Sequence, residues 1–576
     1  MTFVFSRHGL PPVEAAQQRA LEMLPGALSW GLLVGLTTLA VWWPITAAVL
    51  IIAFFLYWLF RLVYMTLFLV LAYTRLAIER DTSWCERVRD IETWQRSEAG
   101  AAGPAGSDWR AWLSAWLHRR RLAGLAGRRD SVPDAETIHH VVIIPIAKES
   151  FDVFGPGIES LACQTFPAER ILVVLSVEAR APAAVRKAVE DAARQYRWRF
   201  LDVLVVVHPD NQPGEARVKG ANATCGARAA AAWLRAHDIP EEQVIASCFD
   251  ADTVVGPEYM SCVTYHFLTC PERLRASFQP IPVYHNNIWE VPGFARVLDT
   301  GASFFQLVEA TDPQQLVTFS SHSMSFRALV DVGYWPVDMV SDDSGIFWKA
   351  LIHYDGDYRV VPMYITVSMD VAGASSWWRT IRNVYRQKRR WAWGVENVPI
   401  VLRAFLQSSR MPWRSRVRHA VKLLEGHVGW ATWAFLLVVI GWLPAAFAGR
   451  EFSNSVLFYS APRVTSTIFN LAGVALLVTI VLSMGLIPRP PRRFGLLRRL
   501  GLALEWGLVP LSALFLSALP ALDAQTRLML NRRLEFWVAD KGRTSGRRRG
   551  QDVVAAAETP YHGTGMQAGG SRATDH

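Results

Sequence analysis

The chain has 576 residues, 60 basic and 50 acidic side chains for a formal charge of +10, and an apolar fraction of 51%. That hydrophobicity excludes a disordered chain, and the length allows about three domains of roughly 150 residues. With 24 Trp, 28 Phe and only 19% charged residues, the composition is that of a membrane protein. The six Cys form no C-x-x-C pair and have no His spacing suited to zinc, which argues against a disulfide framework or a structural metal and for a reducing, cytosolic setting.

Residues 23–60 contain no Asp, Glu, Lys or Arg, and a second uncharged run follows Arg61 over residues 62–74. A bilayer core takes about 20 apolar residues per helix, so two spans are predicted, over 26–43 and 46–72, broken at Pro44. Arg61 falls inside the second span and is expected to snorkel or to face protein. The first 22 residues lack a signal-peptide pattern, so the N-terminus is expected to be retained. Residues 426–449 and 464–488 are each long enough to cross. Residues 506–522 are short, follow Glu505 and contain Pro510 and Pro520, so they read as an interfacial or re-entrant helix. The loop with Arg489, Arg492, Arg493, Arg498 and Arg499 and the tail with Arg527, Arg532, Arg533 and Arg543 are basic. Both should be cytosolic by the positive-inside rule, which gives four crossings with both termini in the cytosol; five would put the tail outside.

Between the membrane blocks, residues 81–136 read as an irregular, partly helical lead-in with a Gly/Ala-rich linker at 99–107. From His139 onward, β-branched runs (VVIIPI, ILVVLSV, LDVLVVV, VIASCFD) alternate with Ala-rich helical stretches, the rhythm of a parallel α/β sheet. The predicted division is a two-helix membrane region (1–78), a lead-in (79–138), an α/β domain (139–375), interfacial helices (376–422), membrane helices (423–488), a basic loop with an interfacial helix (489–545) and a disordered tail (546–576).

Three short pieces carry chemistry. Asp250-Ala251-Asp252 directly follows a strand-like run. Two acids at the carboxyl end of such a strand suit a hard divalent cation shared with a diphosphate, although D-x-D alone equally describes solvated loop acids or a helix cap. Ser341-Asp342-Asp343 opens a helical stretch; adjacent acids there cap a helix, or, packed in a cleft, lift one pKa toward that of a general base. Residues 377–393 hold six basic residues, four Trp and no acid. This is an amphipathic helix for a membrane surface, in which Arg390 can also meet an anionic leaving group and Trp391 can stack on a sugar ring.

Taken in order, Pro145 to Glu149 (P-x-x-x-E), Lys219 to Asn222 (K-G-A-N), Asp250 and Asp252 (D-x-D), Ser341 to Asp343 (S-D-D) and Gln387, Arg390 and Trp391 (Q-x-x-R-W) resemble the membrane-integrated family 2 glycosyltransferases, in the cellulose synthase and hyaluronan synthase branch. The resemblance implies a GT-A-type (Rossmann-like) catalytic domain between N-terminal and C-terminal transmembrane helices. By the same likeness Glu149 and Lys219 help hold the nucleotide, Asp250 contacts the nucleoside diphosphate, Asp252 coordinates Mg2+ or Mn2+, and Asp343 is the base. Gln387 and Arg390 meet the diphosphate and Trp391 lines the acceptor site. Ser341-Asp342 stands in place of the family's Thr-Glu, and Glu178 stands where an Asp is usual and is assigned to the nucleotide-sugar site. Phe536, Val538 and Lys541, in FWVADKG, resemble a gating loop, with Ala539 in place of Thr.

The implied activity is inverting, metal-dependent hexosyl transfer from a nucleotide sugar, UDP-linked, to a growing β-linked polysaccharide at the cytosolic face of a bacterial inner membrane, with translocation. The alternative is a single addition to a membrane lipid. Export partner subunits stay open. The positive charge lies beside the apolar spans, where membrane lipids account for it, so no nucleic-acid partner is expected.

Overall fold

The computed structural model describes residues 3–96, 109–125, 132–447, 456–491, 495, 498, 501, 502 and 504–534. The linker at 99–107, the gating-loop-like Phe536, Val538 and Lys541, and the tail at 546–576 lie outside these residues.

Two helices open the chain, α1 (Pro12–Trp42) and α2 (Pro44–Arg80), each with Pro in its first turn, where the missing N–H costs nothing. The break falls at Trp43, ahead of Pro44, as expected. At 37 residues, α2 runs about 55 Å at ~1.5 Å per residue, well past a hydrocarbon core of about 30 Å. Its C-terminal end is therefore tied to the α/β domain: Arg75 bonds Glu79 at 2.8 Å and lies 4.2 Å over the Tyr364 ring. Arg61 faces protein. It pairs with Glu425 and donates to the Tyr57 hydroxyl at 2.9 Å.

The lead-in is two helices, α3 (Trp84–Arg96) and α4 (Trp109–Leu125). The catalytic-size domain then alternates β1 (His139–Ile146), α5 (Phe151–Ala162), β2 (Ile171–Glu178), α6 (Ala183–Tyr196), β3 (Asp202–His208), α7 (Lys219–Ala236) and β4 (Val244–Cys248). It continues through β5 (Val254–Val255), α8 (Tyr259–Thr269), β6 (Ala276–Val283), α9 (Gly293–Glu309), β7 (Ser323–Ser325), α10 (Phe326–Asp331), α11 (Asp342–His353) and β8 (Arg359–Ser368). One sheet has the order β3-β2-β1-β4-β7-β6-β8-β5. Its first half is parallel, with Val142 opposite Val173 and Ser247; edge strand β3 exposes Val205 and Val207, while β1, β2 and β4 are buried on both faces. That explains their unbroken apolar runs. The second half is mixed, since β7 is antiparallel to both β4 and β6. The parallel reading therefore holds as far as β4, and beyond it short β7 reverses the sheet.

After the domain come α12 (Trp377–Ala392), α13 (Asn397–Gln407), α14 (Trp413–Val438), α15 (Val456–Leu486) and a helix over Glu505–Met529, here α16. Among the described residues, four helices are long and apolar enough to cross a membrane: α1, α2, residues 466–486 of α15, and α16. The pair Trp413–Val438 and Ile440–Ala446 adds a fifth if its 42° bend is one span. Two sequence expectations change here. The run at 506–522 is part of a 25-residue helix ending at Met529, in which a π-helical turn at Leu514–Ala518 lies between Pro510 and Pro520 and absorbs their break. The second concerns the run at 426–449, expected to cross, whose described part falls in the helix pair that passes the length and hydropathy test only if its bend is one span. The polar residues of α16 are used in packing: Gln525 accepts from Ser29 at 2.6 Å and donates to the His427 carbonyl at 2.7 Å.

Candidate active site

The carboxyl ends of β1, β2 and β4 meet where the strand order reverses, the place open α/β sheets offer to ligands. Glu149 follows β1 and folds back, its Oε2 accepting the N–H groups of Ala147 at 2.8 Å and Lys148 at 2.9 Å. Glu178 ends β2 and pairs with Arg180. Asp250 and Asp252 follow β4. All four acids line one cavity of about 1010 Å³, together with Lys219, Asp343, Gln387, Arg390 and Trp391. The residues scattered over some 240 positions of sequence thus face a common space.

Lys219, the first residue of α7, organises its centre. Its Nζ lies 2.7 Å from Asp250 Oδ1, 2.8 Å from Asp343 Oδ1 and 3.9 Å from Asp342 Oδ2. Burial works to lower its pKa, but the carboxylates of Asp250, Asp343 and Asp342 override it and hold the ammonium well above its ordinary value. Gly220 makes this meeting possible. A Cβ there would sit 2.3 Å from the Pro336 carbonyl oxygen and 2.8 Å from Asp342 Cβ, so only glycine lets α7 approach the start of α11.

Of the acid pair, Asp343 lines the cavity, while Asp342 is buried beside Lys219 and does not. Burial and the neighbouring Asp343 charge push Asp342 up to about 8. Crowding two carboxylates does lift one pKa, as expected, but the one lifted is the residue turned from the cavity. Asp343 is placed by its backbone as well, its carbonyl accepting from Thr318 Oγ1 at 2.6 Å.

Helix α12 is capped by Ser376, whose hydroxyl accepts from the Arg379 N–H. Trp377 and Trp378 are exposed, while Gln387 and Lys388 of the last two turns are buried. Gln387 is buried, and its Oε1 has no hydrogen-bond partner among the described residues. Trp391 packs 5.8 Å from Tyr284 and 5.8 Å from Phe319.

Several contributors carried no motif. Ser320 donates to Asp250 Oδ2 at 2.5 Å, from a buried loop in which Ser321 has φ +61° and bonds Thr253 at 2.7 Å. Asp370 lines the cavity, and its N–H donates to Asp252 Oδ2 at 2.9 Å. An acid directly after the strand-like run 359–369 was the available signal. Glu396 joins the two C-terminal motifs: Oε1 accepts the Ser341 N–H and hydroxyl, both at 2.8 Å, and Oε2 accepts the Trp393 indole N–H at 2.9 Å. Burial raises its pKa. Lys388, at an unassigned position of Q-x-x-R-W, is buried against Asp299 at 2.7 Å and lies 3.8 Å over the Trp391 ring.

For a cation, Asp250 and Asp252 offer hard carboxylate oxygens. Among the described residues no group of three or more His, Cys, Asp or Glu side chains is arranged to hold a metal. Two carboxylates alone would leave most oxygen positions of a hard divalent cation to other ligands.

Residues 247–485 match the family described as "Glycosyl transferase family group 2". The match contains Asp250, Asp252, Asp342, Asp343, Gln387, Arg390 and Trp391, and leaves Glu149, Glu178 and Lys219 outside it. No curated protein matches the chain. Among solved structures, the mannosyltransferase PcManGT from Pyrobaculum calidifontis in complex with GDP-Man and Mn2+ is 13% identical with TM-score 0.36, covering 76% of this chain and 99% of its own. Residues 1–349 of TarS from S. aureus in complex with UDP are 13% identical with TM-score 0.33, covering 70% of this chain and 95% of that one.

Proposed function

We propose that this chain is a membrane-integrated glycosyltransferase that moves a sugar from a nucleoside-diphosphate sugar to an acceptor hydroxyl in one inverting displacement. The observation that carries the reading is the convergence of Asp250 and Asp343 on the Lys219 ammonium, in the cavity that Gln387, Arg390 and Trp391 also line. Asp343 takes the acceptor hydroxyl proton. The acceptor oxygen bonds the anomeric carbon as the bond from that carbon to the diphosphate oxygen breaks, and the diphosphate leaves with the electron pair. Arg390 and Lys219 offset the charge that develops on it, and Gln387 offers its amide N–H groups. Mg2+ or Mn2+ held by Asp250 and Asp252 would supply Lewis-acid neutralisation of the same group. Glu149 and Glu178, on strand ends, frame the nucleotide, and Trp391 is a platform for the acceptor ring.

The donor is UDP-linked in this reading, and the site faces the cytosol of a bacterial inner membrane. Motif order supports elongation of a β-linked polysaccharide with translocation. The apolar helix walls around the cavity favour the second reading, one addition to a lipid acceptor. The test is diphosphate release by the purified protein in nanodiscs, with UDP-glucose, UDP-N-acetylglucosamine, UDP-galactose, UDP-glucuronate and GDP-mannose, and Mn2+ or Mg2+. One donor should be consumed, and Asp343→Asn should slow it by about 10²- to 10⁴-fold with nucleotide affinity retained. Release that survives this substitution with every donor defeats the proposal.

A further inference from the structure

The cavity does not end at the carboxylates. It continues between α2, α9, α14 and α16, past Phe54, Trp58 and Leu62, Phe304 and Phe305, and Leu436. Polar atoms are present along this stretch: the Trp58 indole N–H lacks a hydrogen-bond partner among the described residues, while several hydroxyls are already satisfied within the protein. Thr66, Thr432 and Thr479 donate to the carbonyls of Leu62, Val428 and Ala475 at 2.8, 2.8 and 2.9 Å, and Ser517 accepts from the Trp430 indole at 2.9 Å. The charges cancel in pairs: Arg61 with Glu425, and Lys422 with Glu309 at 2.6 Å. A saccharide drawn into this stretch would give up its water and find few groups left to replace it, whereas hydrocarbon loses nothing and leaves water.

Two glycines widen the passage. A Cβ on Gly301 of α9 or on Gly426 of α14 would meet nothing within 4 Å, and both residues line the cavity. Glycine inside a helix is unfavourable relative to alanine, so bare backbone on two walls marks space kept open.

We infer that the membrane-side half of the cavity holds the hydrocarbon chain of a lipid acceptor, with its hydroxyl-bearing head at Asp343 and Trp391. This rests on the glycosyl-transfer reading above and names its acceptor class. The neutral, paired lining suits an aliphatic chain of any head group, so head-group recognition belongs to the carboxylate end.

The probe is hexadecanol carrying a terminal diazirine, photolysed with the full chain in phosphatidylcholine nanodiscs and mapped by peptide mass spectrometry. Adducts should fall on residues 54–69 and 298–308, and excess unlabelled hexadecanol should suppress them. Gly301→Trp should reduce them about tenfold by filling the passage, while UDP binding measured by calorimetry stays unchanged; the hexadecanol competition on the unaltered chain gives the same answer without any variant. Adducts confined to outward-facing residues such as Val41 and Leu50, or suppressed by a soluble oligosaccharide and not by hexadecanol, overturn the inference, the latter in favour of a polymer path. Absence of nucleotide binding in the unaltered chain would instead remove the glycosyl-transfer reading, while the adduct map still decides what the cavity holds.

Discussion

The two ends of the site are built differently. At the end proposed for the donor, Glu178 ends a strand and Glu149 and Asp250 closely follow strands whose paired neighbours are fixed by the parallel ladder, Pro145 opposite Ser176 and Ile143 opposite Cys248. At the end proposed for the acceptor, Asp343 and Trp391 stand on helices, not on strands of the sheet. Their positions are set by polar contacts across the chain: the buried pair Lys388 to Asp299, and the half-buried pairs Glu396 to Ser341 and Arg389 to Asp523 at 2.8 Å. Strands supply rigidity through many equivalent hydrogen bonds, whereas the acceptor end depends on a few charged pairs whose loss is individually felt.

That difference is sharpest at Lys219, which joins the two ends. Lys219→Met leaves Asp250, Asp343 and Asp342 facing one another without their shared cation, and transfer should fall by about 10²-fold or more, with a lowered Tm. Turnover within twofold of the unaltered protein would mean that the two ends are not coupled through this residue. At the acceptor end alone, Lys388→Met strands Asp299 in the interior, where Oδ2 already lacks a hydrogen-bond partner among the described residues. The expected cost is about 3 kcal/mol in stability, with a raised KM for the acceptor as the Trp391 ring loses its cation. Adding Asp299→Leu should restore most of the stability and not the KM; a double variant no more stable than the single would show that the pair itself is unimportant.

A titration gives a milder probe of the same centre. Asp342 is raised from the ordinary carboxylate range to about 8 in the folded protein, so between those pH values the folded state binds a proton that the unfolded chain has released. Its contribution to stability is therefore complete in acid and declines as pH rises toward about 8. Unfolding of Asp342→Asn followed by Tm across pH 5 to 8 should lack the part of the decline that this residue causes, and superimposable slopes for the two proteins would exclude it. The smallest expected change is at the donor end. Ser320→Ala removes one hydrogen bond to Asp250, worth about 1–2 kcal/mol, and should weaken nucleotide binding about tenfold by calorimetry without altering acceptor KM.

Legibility in the sequence followed the same divide. The strands β1, β2 and β4 and the acids at their ends could be read directly, because burial on both faces leaves an unbroken apolar run and the ligand edge follows it in the chain. The Pro44 break was equally local. Residues 506–522 were not, since two prolines predict a break that the π-helical turn and contacts with Ser29 and His427 accommodate. Lys388 sits in a basic, Trp-rich stretch that reads as a membrane surface, and nothing local reveals that Asp299, 89 positions away, draws it inward.

The sequence by itself determined the alternation of strands and helices, the apolar segments at either end, and the kinds of side chain available for the chemistry. These depend on propensity, periodicity and spacing, which act over a few residues. Tertiary structure alone decided that Lys219 bridges Asp250 and Asp343, that Asp342 turns away from the cavity, and that α2, α9, α14 and α16 enclose its membrane-side half. Each is a meeting of side chains far apart in sequence, and such meetings are fixed by packing and by the need to pair buried charge, not by local pattern.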